Sequence, residues 1–249
     1  MHSLRAALLA GAGPEGEISQ AVGSLLECLN DSVTDVHVCC VGGVGSSFLM
    51  AFLNRRGLTT NLQTDADGLR HCPRPPPTTT AGAIRRGVYL FGNPLDAVAS
   101  HFARGHAAHQ ASKTSGREPP PGALCSLEAY IAGGCDHFGL EAHLHNWMTL
   151  PLPYDIIFVR YERMFEPEAA RALLHFVYQD SMDAAAVDAA LLPDFLAQRR
   201  ARSTQLTDAQ RQAMYSELQA KVDAMPAWFV RKADAGASGI QDVLGGLSL

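Results

Sequence analysis

The chain has no surplus of positive charge: 20 Lys and Arg against 25 Asp and Glu give a formal net charge of −5. That balance argues against a general nucleic-acid binder, whose surface is ordinarily basic. No apolar run approaches the roughly 20 residues that a membrane-spanning helix needs, so no span is expected. Leu4 to Ala12 faintly resembles the apolar part of a secretory signal, but it is short and broken by Arg5, so none is expected. The six cysteines include no C-x-x-C pair and no metal-ligand spacing, which leaves reduced thiols, a cytoplasmic setting and no metal as the expectation. His101, His106 and His109 have no Cys or carboxylate at ligand spacing and are expected to be exposed loop residues. No internal repeat is apparent.

What is present is enough apolar material, 47% of the chain, for one substantial core. The expected layout is an N-terminal helical extension over 1–35, one α/β domain over 36–232 and a flexible tail over 233–249. In the extension, Ile18 to Leu29 is an amphipathic packing helix. Val36 to Val41 reads as a central strand, and Ser46 to Asn54 as a helix whose Phe48/Phe52 and Leu49/Leu53 recur four apart, with Gly57 placed to end it. Arg86 to Phe91 is the second strand. After it, Asn93 can cap a helix, Pro94 suits its first position and Asp96 complements its dipole. His106 to Gly122, rich in small and polar residues, is expected to be a mobile surface loop. Helices over about 123–132 and 136–148, a buried strand at Ile156 to Tyr161, a helix at Glu166 to Gln179, and one from Thr207 through Met214, Leu218 and Val222 complete the pattern. Strands alternating with helices predict a mainly parallel central sheet flanked by helices, with ligands beyond the carboxyl ends of its strands.

The turn Gly42-Gly43-Val44-Gly45-Ser46-Ser47 lies at such an end. Strand, glycine turn and helix start aim backbone N–H groups and the positive end of a helix dipole at one spot, which suits a phosphate. The turn lacks the lysine of G-x-x-x-x-G-K-[ST], which disfavours an ordinary NTP-hydrolysing loop. It also misses the dinucleotide fingerprint, because Phe48 stands where the third small residue belongs, although Asp65 keeps that reading open.

Together, Gly43-Val44-Gly45-Ser46-Ser47-Phe48, Leu69-Arg70-His71-Cys72-Pro73, Gly92-Asn93-Pro94-Leu95-Asp96 through Ser100, His145-Asn146-Trp147 and Val159-Arg160-Tyr161-Glu162 resemble, in order and approximate spacing, the sulfotransferases that use 3′-phosphoadenosine 5′-phosphosulfate (PAPS). The resemblance covers roughly residues 36–178 and implies a P-loop-NTPase-like architecture and transfer of a sulfuryl group from PAPS to a hydroxyl or amine on a small-molecule or glycan acceptor. It makes His71 the general base, a role suited to a pKa near 6.5. It assigns cofactor contacts to Gly43, Gly45, Ser46, Ser47 and Phe48 in the loop, to Asn93 and Ser100, to Tyr161, and to the basic Arg199, Arg200 and Arg202. It places Trp147 at the adenine or acceptor, against the commoner role of a buried Trp. The loops over 72–85 and 106–122 become the acceptor-specificity elements.

The sequence departs from this family twice. Its loop lysine falls at Gly43, and the arginine that holds the 3′-phosphate falls at Gly92, so Arg70, Arg74, Arg104 or the Arg199–Arg202 cluster must replace them or binding is weak. Two rival readings follow. One is a catalytically degenerate nucleotide-binding protein on the same fold. The other is a Rossmann-type NAD(P)-dependent oxidoreductase, in which Asp65 ends the second strand and meets a ribose.

Overall fold

The structure, a computed structural model, describes residues 33–76, 84–199 and 206–233. The N-terminal helical extension, but for its end at 33–35, lies outside the described residues, as do the tail beyond 233, Arg200 and Arg202. The described residues from Thr34 onward form one compact unit. Four strands, Thr34–Cys40 (β1), Ile84–Phe91 (β2), Ile156–Arg160 (β3) and Trp228–Arg231 (β4), make one sheet in the order β1-β2-β3-β4. The first three are parallel and β4 runs antiparallel to β3. Val36 to Cys40, Val88 to Phe91 and Ile156 to Val159 are all buried, as parallel strands covered on both faces must be.

β1 is an edge strand, not the central one expected from its continuous apolar run. Irregular chain hides its outer edge. The Thr59 carbonyl takes the N–H of Val36 at 3.0 Å, and the Arg70 carbonyl takes that of Cys40 at 3.0 Å. Between them the Asn61 side-chain amide imitates a neighbouring strand, accepting from Val38 N at 2.8 Å and donating to Val38 O at 3.2 Å. The edge is thereby satisfied without a strand, so its residues look like central ones.

The helices in chain order are Ser46–Arg55 (α1), Pro94–Ala103 (α2), Ala107–Ser115 (α3), Leu127–Gly133 (α4), Leu140–Thr149 (α5), Pro167–Tyr178 (α6), Ala184–Ala190 (α7), Leu192–Ala197 (α8), Asp208–Ala213 (α9) and Ser216–Ala224 (α10). α1 starts at Ser46 as expected, α2 starts where its cap chemistry predicts, and Thr207 with Gln210 forms the expected capping box before α9. Three expectations fail. The segment read as a mobile loop holds α3, whose buried face of Ala107, Gln110, Ala111 and Thr114 has helical spacing but too little hydrophobicity to be conspicuous. Thr114 anchors it, donating to the Phe138 carbonyl at 2.8 Å. The single last helix is two, because Tyr215 takes a left-handed conformation at φ 65° between them. The third strand stops at Arg160, and Tyr161 opens a 3₁₀ turn, Tyr161–Arg163. No helix among the described residues is long and apolar enough to cross a membrane.

Candidate functional site

The glycine turn leaves β1 at its carboxyl end and enters α1 with Gly45 as the N-cap residue, at φ 79° and with no side chain capping it. The helix ladder starts with the Leu49 N–H bonding the Gly45 carbonyl at 3.1 Å, so the amides of Ser46, Ser47 and Phe48 face out of the helix end. No acidic residue sits in the first turn. A cation stands over it instead: Arg70 donates from Nε to Ser46 Oγ at 3.1 Å, from a terminal nitrogen to the same oxygen at 2.9 Å, and to Ser47 Oγ. Its other terminal nitrogen is held by the Gln63 carbonyl at 2.6 Å.

Gly43 has φ 69°, and a Cβ there would lie 2.6 Å from the carbonyl oxygen of Ala97 in α2. The loop therefore has no room for the lysine that the family resemblance expects. Gly92 differs in kind: a Cβ would come within 2.8 Å of the Glu162 carboxylate, which also accepts the Asn93 N–H at 2.9 Å. Where an arginine was expected, a carboxylate stands.

His71 lies against the base of the loop. Its Nδ1 is 2.8 Å from the Cys40 carbonyl and 3.7 Å from Cys40 Sγ. A carbonyl can only accept, so Nδ1 carries the proton and neutral His71 presents Nε2 as its lone-pair nitrogen. Burial alone would lower the His71 pKa, but the adjoining Cys40 outweighs it and the value is raised. Reciprocally, burial pushes the Cys40 thiol up, yet His71, Ser46 and Arg70 bring it below its ordinary value. The Cys40 sulfur also accepts the Gly42 N–H at 3.2 Å, so Arg70, Ser46, Cys40 and His71 form one connected network under the turn.

The structure thus gathers His71, Gly43, Gly45, Ser46 and Ser47 at one place, with different roles for the two serines. Ser47 is exposed; Ser46 is 2% exposed and serves as the link between Arg70 and Cys40. Ser100 is on α2, one turn beyond Ala97, with its hydroxyl held by Arg104 at 2.8 Å. Tyr161 lies with its ring against Gly45. Asn93 is a helix cap, its Oδ1 accepting the Asp96 N–H at 2.9 Å.

Other expected contacts are not brought to the site. The ring of Phe48 packs among Phe52, Phe165 and Phe195 at separations of 5.3–6.3 Å, so only its backbone amide is at the turn. Trp147 has 0% exposure, so it presents no open surface to a ligand. It packs on His37 and Tyr89 and donates Nε1 to the Cys72 carbonyl at 3.1 Å, fixing the segment after His71. Arg199 is exposed beyond α8, its charge acting on Glu166. His101 is buried rather than exposed: its ring lies against Gly42, neither nitrogen makes a hydrogen bond, and burial and then Arg104 push its pKa down to about 3. His106 and His109 are exposed, but on or beside α3.

Asp65 does not end a strand. It sits in a turn at φ 61°, buried, with its carboxylate accepting the Arg70 N–H at 2.9 Å and paired with Lys113 at 2.6 Å. It has no oxygen directed at a ribose in the manner of the dinucleotide folds. Among the described residues no group of three or more His, Cys, Asp or Glu is arranged to hold a metal ion.

A cavity of about 1000 Å³ adjoins the segment after His71, lined by Pro73, Arg74, Glu118, Glu141, His145 and Asn146 among others. Its walls come from the end of α3, the chain to Pro120, and α5. Sequence reasoning missed the Cys40–His71 contact, which joins residues 31 apart and leaves no local pattern. Compared with protein-family models, with curated proteins and with solved structures, the chain matches none of them.

Proposed function

We propose that this chain is a PAPS-dependent sulfotransferase on a P-loop-like α/β fold. The observation that carries the reading is the position of His71: a base with a fixed tautomer beside a glycine turn whose open amides are overlain by a guanidinium. PAPS, when bound, supplies the sulfuryl group that is transferred and leaves as 3′-phosphoadenosine 5′-phosphate. The turn amides, Ser47 and Arg70 hold anionic oxygens. His71 Nε2 accepts the proton of the acceptor hydroxyl or amine as it attacks. Such transfer needs positioning and charge stabilisation more than covalent catalysis, which is what this arrangement offers. The cavity beside Pro73 and Arg74 is the acceptor side, since it is walled by the two segments expected to set specificity.

A second reading is a nucleotide-binding protein without turnover, favoured by the Glu162 carboxylate at Gly92. Calorimetric titration with 3′-phosphoadenosine 5′-phosphate, NAD and ATP separates the possibilities. Binding of the bisphosphate in preference to the others is the expected result; no binding of it ends the sulfotransferase reading, and no binding of any of the three ends the second as well. Sulfuryl transfer from PAPS that survives intact in His71→Ala removes His71 from the mechanism.

A further inference from the structure

We infer that Cys72 and Cys39 are a peroxide-reactive thiol pair: a hydroperoxide oxidises Cys72, and Cys39 then closes a disulfide onto it. The pair stands whichever ligand the glycine turn takes.

Three hydrogen bonds fix where Cys72 lies. Alternation along β1 puts His37 and Cys39 on one face of the strand and Cys40 on the other. His37 Nε2 and Cys72 Sγ both donate to the Leu69 carbonyl, at 2.8 and 3.0 Å, so ring and sulfur lie within twice a hydrogen-bond length of each other. On β2, Tyr89 is the register partner of Cys39, and the Trp147 ring stands 5.8 Å from Tyr89 and 5.5 Å from His37. The same Trp147 donates Nε1 to the Cys72 carbonyl at 3.1 Å. Cys72 is thereby held by its backbone and its sulfur over the stretch of sheet between His37 and Tyr89, where Cys39 supplies the thiol. Cys40 is turned away, its sulfur 3.7 Å from His71 Nδ1 and accepting the Gly42 N–H.

The two sulfurs differ in the way that attack and resolution require. Cys72 is partly exposed and Pro73 after it lines the cavity, so a small oxidant reaches it, whereas Cys39 is 1% exposed. Hydrogen bonding from Cys39, opposed by burial and reinforced by His37, brings the Cys72 thiol down to about 6, so it is largely thiolate at neutral pH. Burial first, and then Cys72, hold the Cys39 thiol well above its ordinary value, so it keeps its proton until it attacks.

The Cys72 thiolate attacks one oxygen of the hydroperoxide. An S–O bond forms, the O–O bond breaks, and the departing oxygen takes up the proton that Cys72 released on ionising, leaving a sulfenic acid. The Cys39 sulfur then attacks the Cys72 sulfur. The S–S bond forms, the S–O bond breaks, and hydroxide leaves with the Cys39 proton as water. The thiols lose two electrons and the hydroperoxide gains them; a thiol reductant reverses the bond. Because Cys72 follows His71 directly, the disulfide adds a covalent tie to the segment that presents His71 Nε2.

The test treats the reduced full chain with stoichiometric hydrogen peroxide at neutral pH, blocks the remaining thiols with iodoacetamide and locates the linked cysteines by fragmentation mass spectrometry. The expected result is a bond between Cys39 and Cys72, with the exposed Cys125 and Cys135 alkylated. Cys72→Ser is expected to lose the bond, and Cys39→Ser to leave Cys72 as a sulfenic acid that dimedone traps. Cys72 oxidised in the wild-type chain without a bond to Cys39, a bond to any other cysteine, or oxidation of Cys125 or Cys135 ahead of Cys72 overturns the pair. The wild-type map needs no variant, so it decides even if loss of the buried Cys39 thiol disturbs the fold.

Discussion

α1 and α2 begin in the same way, each after a parallel strand and a glycine at the carboxyl edge of the sheet, and they end up opposite in character. The start of α1 has no side-chain cap and no acidic residue, and a guanidinium overlies it. The start of α2 is closed: Asn93 caps it, Pro94 takes its first position, Asp96 lies in its first turn and Glu162 accepts the Asn93 N–H. Bare amides and a positive dipole end are left open at one helix and are satisfied by the protein's own oxygens at the other. A strand–turn–helix pattern alone therefore does not mark a phosphate site; what matters is whether the chain has already supplied the anion.

The largest effect expected is on two buried histidines, His101 against the glycine turn and His143 in α5, whose Nδ1 lies 2.8 Å from the Tyr89 hydroxyl. His101 and His143 are buried neutral, with pKa values pushed down to about 3 by desolvation. The unfolded chain takes up these protons near pH 6.5, the folded chain only near pH 3, so stability is full above pH 6.5 and falls as the pH drops between those values. The slope is about 1.4 kcal/mol per histidine per pH unit, and thermal unfolding between pH 7 and pH 4 reads it. A midpoint that stays level across that range contradicts the neutral burial of both rings.

Gly43→Lys, which installs the lysine that the resemblance expects, is expected to lose about 1–3 kcal/mol from left-handed strain, plus the clash with Ala97, and to gain no ligand affinity. A stable variant that binds the bisphosphate more tightly shows that the turn does have room. Next, Asn93→Ala should cost about 1 kcal/mol in denaturant unfolding as a lost cap, whereas Ser47→Ala at the uncapped end should stay within about 0.5 kcal/mol and lose affinity instead. The reverse pattern inverts the contrast between the two helices. Smallest is Glu162→Gln, expected to cost about 0.3–1 kcal/mol of stability by removing a negative charge from a helix start, while strengthening bisphosphate binding by a similar amount. If binding weakens, Glu162 is supporting the site and not repelling from it.

The sequence made the sheet strands β1 to β3 and the start of α2 legible because apolar runs and cap residues are local signals. Asn93, Pro94 and Asp96 do in space what their types predict in line. The short β4 was not anticipated; it pairs antiparallel with β3, its residues 69 to 75 positions from their partners. α3 escaped because alanine, glutamine and threonine make a face that buries well against neighbours without being strongly apolar. Arg70 could be named as a cation to replace the lysine, but not that it seats on Ser46 and Ser47, and Cys40 looked like an inert core thiol. Such roles are set by chain segments meeting across 23 to 31 positions, which no periodicity records.

The most direct measurement is the amide ¹H–¹⁵N spectrum of the full chain titrated with 3′-phosphoadenosine 5′-phosphate. The proposed function predicts that the signals of Gly43, Gly45, Ser46 and Ser47 move with saturation while those of Gly92 and Asn93 stay in place, because the amides at the start of α1 are open and those at the start of α2 are already satisfied. Movement confined to Gly92 and Asn93, or none at either helix start, contradicts it.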